Sequence, residues 1–269
     1  MNRLLIIVAL SLAALPAAAQ VPKLYVPHLE QRPVIDADLS EWKDYAHHDG
    51  VWDIYRLRHA PWFDAGRRNR LTDHGNEPHP EDDLRARYFM AWDAEYLYFG
   101  AEVIDNVNDV DDSDPAPRRW FFKDSICWFM EAPRDEAPEW FGQGDNSFCF
   151  VADASYPSYG AWWRHGTPTE TYVEEPIPQD AVDYRLRFGD QGNFVLEARV
   201  RMADTFKISD PRWTPPQMGD EYSLNIVHCD PDGGGYGGHF MVHGDGDDDA
   251  TWSRVILSPP QGPIERLVE

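Results

Sequence analysis

Residues 84–104 read LRARYFMAWDAEYLYFGAEVI, and no other stretch constrains the fold as strongly. In LRARYFMAW, Leu84, Ala86, Tyr88, Met90 and Trp92 share one face, because successive strand residues point to opposite sides of a sheet. The opposite face begins with Arg85 and Arg87. After the polar turn Asp93-Ala94-Glu95, YLYFGAEVI (96–104) is again rich in aromatic and β-branched residues. Two such runs around a short polar turn predict a β-hairpin.

Runs of the same kind recur: SICWFME (125–131), NSFCFVA (146–152), YRLRF (184–188), NFVLEARVR (193–201), YSLNIVH (222–228), GHFMV (238–242) and WSRVIL (252–257). Gly-Asp-Gln-Gly-Asn (189–193) reads as a further hairpin loop. No amphipathic helix of useful length is found, and Pro and Gly are spread throughout. Many short strands with turn-rich connectors predict an all-β fold, an antiparallel β-sandwich. Two long segments, 43–83 and 105–123, interrupt the pattern. The first is aromatic and His-rich, the second acidic and then aromatic-basic. Loops of that length in a compact domain are usually functional or disordered.

The chain opens MNRLLIIVALSLAALPAAAQ, with Arg3, an apolar run from Leu4 to Leu10, Pro16 and Ala17-Ala18-Ala19. This pattern predicts a signal peptide over 1–19, cut after Ala19, and a single sandwich domain over 20–269. The apolar run is shorter than the ~20 residues that span a bilayer, and no later segment reads as a membrane span. Export to the periplasm or the exterior is expected.

Asp and Glu total 47 against 24 Lys and Arg, a net charge of −23. Such a surface repels phosphate backbones and anionic lipid, which argues against nucleic acid and membrane surfaces as partners. It attracts divalent cations and tolerates neutral ligands. Aromatic residues make up 13% of the chain, with 11 Trp, and aromatic faces are what sugar rings stack on. The cysteines are Cys127, Cys149 and Cys229, an odd number in apolar stretches. Buried free thiols are expected, with a Cys127–Cys149 bridge as the oxidised alternative.

The order of several segments is informative. VIDADLSEW (34–42) is followed by MAWDAEYLYFGAEVIDN (90–106), KDSICWFMEAPRD (123–135), GNFVLEARVRM (192–202), GDEYSLNIVHCDPDGG (219–234) and WSRVIL (252–257). This series resembles the family 9 carbohydrate-binding modules, over most of residues 34–257. Trp92-Asp93-x-Glu95-Tyr96-Leu97-Tyr98 is its most specific element. The resemblance implies that Ile35-Asp36 starts the first strand, Ala37-Asp38 turns the chain, and Trp42 plugs the sandwich end as a core residue.

It also implies a non-catalytic protein that binds poly- or oligosaccharide in association with polysaccharide breakdown. Family members that bind sugar ends sandwich the ring between two Trp, one before the "D-S-x-E" strand and one shortly before the last strand. For the first, Trp120 stands one residue further from Asp124 than the family spacing, and Phe121 is the alternative. For the second, residues 244–250 (GDGDDDA) hold no aromatic. The family's Glu falls at Cys127, and its Arg and Asn fall near Cys149 and Val151, so the same binding mode is not implied. ASYPSYGAWWRHG (154–166) offers a local replacement through Tyr159, Trp162, Trp163 and Arg164. Together with Trp120, Phe121 and Asp124, these are the candidate carbohydrate-binding residues.

Carboxylates cluster at 105–114 and 244–250. Asp105, Asp109, Asp111, Asp245 and Asp247 are candidate ligands for a structural Ca2+, which takes hard oxygen donors and which family members often hold. No H-E-x-x-H or C-x-x-C appears, which leaves a zinc enzyme without support. Haem on Met241, His239 or His243, a glycoside hydrolase using an acidic pair, and a structural or protein-binding sandwich that has lost the sugar site are the alternatives.

Overall fold

The computed structural model describes residues 21, 23–50, 84–108, 118–135, 141–153, 161–230, 239–244, 246 and 248–261. The expected signal peptide lies outside them. Alternation and β-branched content become thirteen strands: β1 (Lys23–Pro27), β2 (His47–Gly50), β3 (Leu84–Trp92), β4 (Tyr96–Asp105), β5 (Ser125–Glu131), β6 (Asp145–Val151), β7 (Ala161–His165), β8 (Val173–Pro176), β9 (Val182–Phe188), β10 (Phe194–Arg201), β11 (Glu221–Cys229), β12 (His239–Met241) and β13 (Ser253–Ser258). Helix is confined to short 3-10 turns and the four-residue α-helix Phe206–Ser209 among the described residues. None is long and apolar enough to cross a membrane.

Two sheets form the sandwich expected from the sequence. The eight-stranded sheet runs β1-β13-β11-β5-β6-β7-β8, with β12 also on β11. The five-stranded sheet runs β2-β3-β4-β10-β9. Neighbouring strands are antiparallel except β1 and β13, a parallel pair that departs from the wholly antiparallel expectation. β2 corrects the reading of residues 43–50 as loop, and it places His47 and His48 on a strand. HHDG (β2) and VEEP (β8) are too polar to signal strands, and pairing with β3 and β7 supplies their order.

The inner faces meet in one core. Trp128 stacks on Phe99 at 4.9 Å and meets Phe150 edge-on at 5.9 Å. Every residue of β5 and β6 is buried, which an alternating strand with one wet face would not show. Side chains therefore cover the outer faces as well. One outer cluster, around Trp120, Phe129 and Trp252, lies on the eight-stranded sheet. The other, around Trp42, Phe89 and Tyr98, lies on the five-stranded sheet.

The Trp92–Tyr98 motif has a local cause. Asp93 Oδ1 accepts from the backbone N–H groups of Glu95 and Tyr96, both at 2.7 Å, which closes the turn between β3 and β4. Its Oδ2 accepts from Tyr98 Oη at 2.9 Å and from Arg32 Nε at 2.7 Å. These bonds and the Arg32 charge hold the Asp93 carboxyl below its ordinary pKa despite burial.

VIDADLSEW differs from its expectation. Ile35-Asp36 is not in a strand, and Trp42 does not plug the sandwich end. The segment lies across the outer face of the five-stranded sheet, with Trp42 6.2 Å from Tyr98 on β4. Glu197 of β10 anchors it. Oε2 accepts from the N–H groups of Asp36 and Ala37 at 2.8 Å, and Oε1 accepts from Trp42 Nε1 at 2.7 Å. Gly100 permits the approach: a Cβ there would stand 3.0 Å from Leu39 Cδ2 and 3.2 Å from Trp42.

His228 is buried between the sheets, with Nδ1 2.7 Å from Tyr88 Oη. Burial pushes its pKa down to about 3. Below about pH 6.5 the unfolded chain binds a proton at this residue that the folded chain refuses. Stability from this group is thus complete above that pH and is lost as pH falls toward 3. In His228→Gln, the difference in unfolding free energy between pH 7 and pH 4 should shrink by roughly 3 kcal/mol. Urea titrations at the two pH values test this; an unchanged difference would assign the acid sensitivity elsewhere.

Candidate functional site

The outer face of the eight-stranded sheet gathers most of the predicted binding residues. The pleat of β7 sends Trp163 and His165 inward, stacked at 3.6 Å, and Trp162 and Arg164 outward. Trp163 is fully buried and donates from Nε1 to Asn146 Oδ1 at 3.1 Å. It is a core residue and no stacking platform, which corrects the sequence reading. The reason is the strand period: adjacent residues cannot share a face.

Arg164 is enclosed. Its guanidinium carbon lies 5.1 Å from the Trp120 ring, 5.0 Å from Phe141 and 4.6 Å from Tyr172. Nε and Nη2 donate to Glu174 Oε1 at 3.1 and 3.0 Å. At 6% exposure it organises the rings from below. Each cation–ring contact is worth ~0.5–2 kcal/mol, more when desolvated. Trp120 is also buried, whereas Phe121, Trp162 and Tyr172 are half-buried at the edge of the cluster. Phe141 and Tyr172 hold positive φ values of 50° and 61°, and Arg119, before Trp120, holds 58°. Left-handed backbone at bulky side chains is uncommon and gathers at functional sites. Tyr172 and Phe141 were missed by sequence reasoning; lone aromatics in polar loops carry no periodic signal. Tyr159 lies outside the described residues.

Asp124 is not on this face. It is fully buried and joins Asp105 and Asp230, with carboxylate oxygens within 4.8 Å of one another. Asn108 Nδ2 donates to Asp124 Oδ2 at 2.9 Å. Asp105 ends β4, Asp124 precedes β5 and Asp230 follows β11, so the trio joins the two sheets at one end. Of the predicted metal ligands, Asp105 is in this trio; Asp109, Asp111, Asp245 and Asp247 lie outside the described residues.

The opposite end of β5 carries a second group of acids. Glu131, Asp135 and Asp249 offer oxygens within 4.8 Å of one another. Glu131 faces Asp145 across the β5–β6 pair. Burial, with the surrounding negative charges, pushes Glu131 up to about 7, Asp145 to about 9 and Asp249 to about 6. Sequence reasoning missed this group, since its members come from separated segments.

On the five-stranded sheet, a shallow pocket of about 460 Å³ lies among Glu102, Ile104, Arg187, Phe188 and Asn193. None of the predicted binding residues lines it.

No protein-family model matches the sequence, and no curated protein does. The fold does have solved relatives. One is a carbohydrate binding module family 9 from Caldicellulosiruptor kristjanssonii in complex with cellotriose: TM-score 0.56, 12% identity, covering 92% of this chain and 99% of that one. The same module in complex with glucose gives 0.57 at 13% identity, covering 91% and 100%. The chain has the family 9 carbohydrate-binding module fold. A Bacteroides uniformis protein named for carbohydrate binding shares it, at TM-score 0.56 and 10% identity, covering 89% and 100%.

A tryptophan does stand just before the last strand: Trp252, two residues beyond the window 244–250, buried in the same cluster as Trp120. Phe129 of β5 touches both, 6.2 Å from Trp120 and 5.8 Å from Trp252. Cys127, Cys149 and Cys229 line the floor as buried free thiols. Burial raises the pKa of Cys127 and Cys229, so neither is an activated nucleophile.

Proposed function

We propose that the protein is an exported, non-catalytic carbohydrate-binding protein that takes poly- or oligosaccharide on the outer face of its eight-stranded sheet, in association with polysaccharide breakdown. The observation that carries this reading is the aromatic cluster closed around Arg164, with Trp162, Tyr172 and Phe121 at its edge and left-handed backbone at Phe141 and Tyr172. The solved relatives that bind cellotriose and glucose support the same ligand class. Trp162 and Tyr172 supply stacking faces, and Glu174, one-third exposed, accepts from sugar hydroxyls. Arg164 positions them and Trp120 supports the floor.

A hydrolase is disfavoured because the acids with the most raised pKa values, Glu131 and Asp145, are 1% and 2% exposed. A protein-binding role for the same face is the second reading, favoured by the apolar Cys127, Cys149 and Val151 at or near the positions of the family's polar ligands. Depletion from solution by insoluble cellulose, xylan, chitin and mannan decides between them. Loss to one polymer supports sugar binding; full retention with every polymer and no binding of soluble oligosaccharides sinks it.

The buried trio Asp105, Asp124 and Asp230 fits a structural Ca2+. Three hard oxygen donors are already gathered, and buried carboxylates need a compensating charge. Ca2+ would supply that charge where the two sheets meet. EDTA should lower the midpoint of thermal unfolding by an amount equivalent to ~2–4 kcal/mol, and Asp124→Asn should blunt the response. Differential scanning calorimetry with EDTA and with Ca2+ reads it; identical midpoints would remove the metal.

A further inference from the structure

The three buried cysteines have no role in the sugar-binding reading, and the register of the sheet tells them apart. All three belong to the outer cluster of the eight-stranded sheet, so their side chains share one face. β5 lies between β6 and β11. Cys127 of β5 stands directly opposite Cys149 of β6. On its other side Cys127 stands opposite Val227, while Cys229 stands opposite Ser125.

Those placements decide which sulfurs can join. A disulfide needs Cα atoms about 4.4–6.8 Å apart. Residues directly opposite in an antiparallel pair are about 4.5–5.5 Å apart, so Cys127 and Cys149 meet that range. Cys229 is diagonal to Cys127, a separation of about 7–8 Å, which is too far. From Cys149 it is two strands away, roughly 9.5 Å. The nearest pair already interacts: burial, then a hydrogen bond with the Cys149 thiol, raises the Cys127 pKa.

We propose that Cys127 and Cys149 are the site of a cross-strand disulfide, closed by a disulfide oxidant as the chain folds, with Cys229 left as a thiol. One cysteine thiolate attacks the oxidant, which forms a mixed disulfide and releases one oxidant thiol. The other thiolate attacks the protein sulfur of that mixed disulfide, and the second oxidant thiol leaves. The protein loses two electrons and two protons, and the oxidant's S–S bond is reduced to two thiols. Both cysteines are fully buried, so exchange belongs to the chain before the outer cluster closes. Cys149 also stands opposite Trp162 of β7, so the finished bridge ties β5 to β6 beside the outward ring.

Peptide mapping tests this independently of sugar binding and of export. Reduced, urea-unfolded protein is refolded with a mixture of reduced and oxidised glutathione. The soluble product is alkylated with iodoacetamide in denaturant and digested with trypsin. Cleavage after Arg134 separates Cys127 from Cys149 unless a disulfide joins them. The expected product is a linked peptide pair carrying Cys127 and Cys149, lighter by two hydrogens than the separate thiol peptides, with Cys229 alkylated. The bridged protein should melt roughly 5–15 °C above protein refolded without oxidant. Cys127→Ser should lose that gain, and Cys229→Ser should keep it. Dithiothreitol should open the bridge at least about tenfold more slowly in folded protein than in denaturant, because the sulfurs are buried. Alkylation of all three cysteines in the wild-type product, or a bridge that includes Cys229, overturns the proposal. The mapping needs no variant, so it decides the matter even if Cys127→Ser fails to fold.

Discussion

Replacing Glu197 by alanine is expected to destabilise the protein by ~3–5 kcal/mol, because two buried donors and one half-buried donor lose their acceptor together. Two of them, the N–H groups of Asp36 and Ala37, cannot be moved to water without lifting the segment off the sheet. The third, Trp42 Nε1, would remain under the segment. In a domain of this size such a loss corresponds to roughly 10 °C in melting temperature. Trp42→Phe keeps the packing against Tyr98 and removes only the indole donor, and should lose about 1–2 kcal/mol. Thermal melts give both numbers. A Glu197→Ala protein within about 2 °C of wild type would mean that the N-terminal segment is held by packing alone.

The second large effect separates two adjacent tryptophans. Trp163→Ala should cost about 3–5 kcal/mol in stability, because the ring is fully buried between the sheets. Trp162→Ala should leave most of the stability and weaken polysaccharide binding by roughly 30-fold, about 2 kcal/mol, as for a stacking anchor at a binding centre. Trp162→Tyr retains a ring and should recover part of the affinity. Affinity electrophoresis on the polymer that depletes the wild-type protein reads the binding, and circular dichroism reads the fold. Unchanged affinity in Trp162→Ala would move the sugar site off this face.

Glu131, Asp145 and Asp249 bear on the same face from its other end. Phe129 meets Phe141 at 5.5 Å and Trp252 at 5.8 Å, so its ring links the Arg164 cluster to the turn that carries Asp249.

Much of the sandwich was legible in the chain. Alternation in LRARYFMAW placed Leu84, Ala86, Tyr88, Met90 and Trp92 on the inner face, and all five are in the central core. The Asp93 turn was legible because one side chain satisfies two nearby N–H groups locally. Strands β2 and β8 were not, since neighbouring strands rather than their own residues give them order.

For the site, the sequence by itself determined that a dense aromatic segment, Trp162-Trp163-Arg164, exists, and that acids outnumber bases. Only the tertiary structure decided which of those rings faces outward, because the phase of the β7 pleat is set by pairing with β6 and β8. It also decided that Asp124 belongs with Asp105 and Asp230, and that Glu131, Asp135 and Asp249 converge. Each of these groupings joins residues from separate segments, and strand pairing together with the turns that flank the strands brings them together. Local patterning reports which way a side chain points from its own strand; it carries no record of what stands opposite.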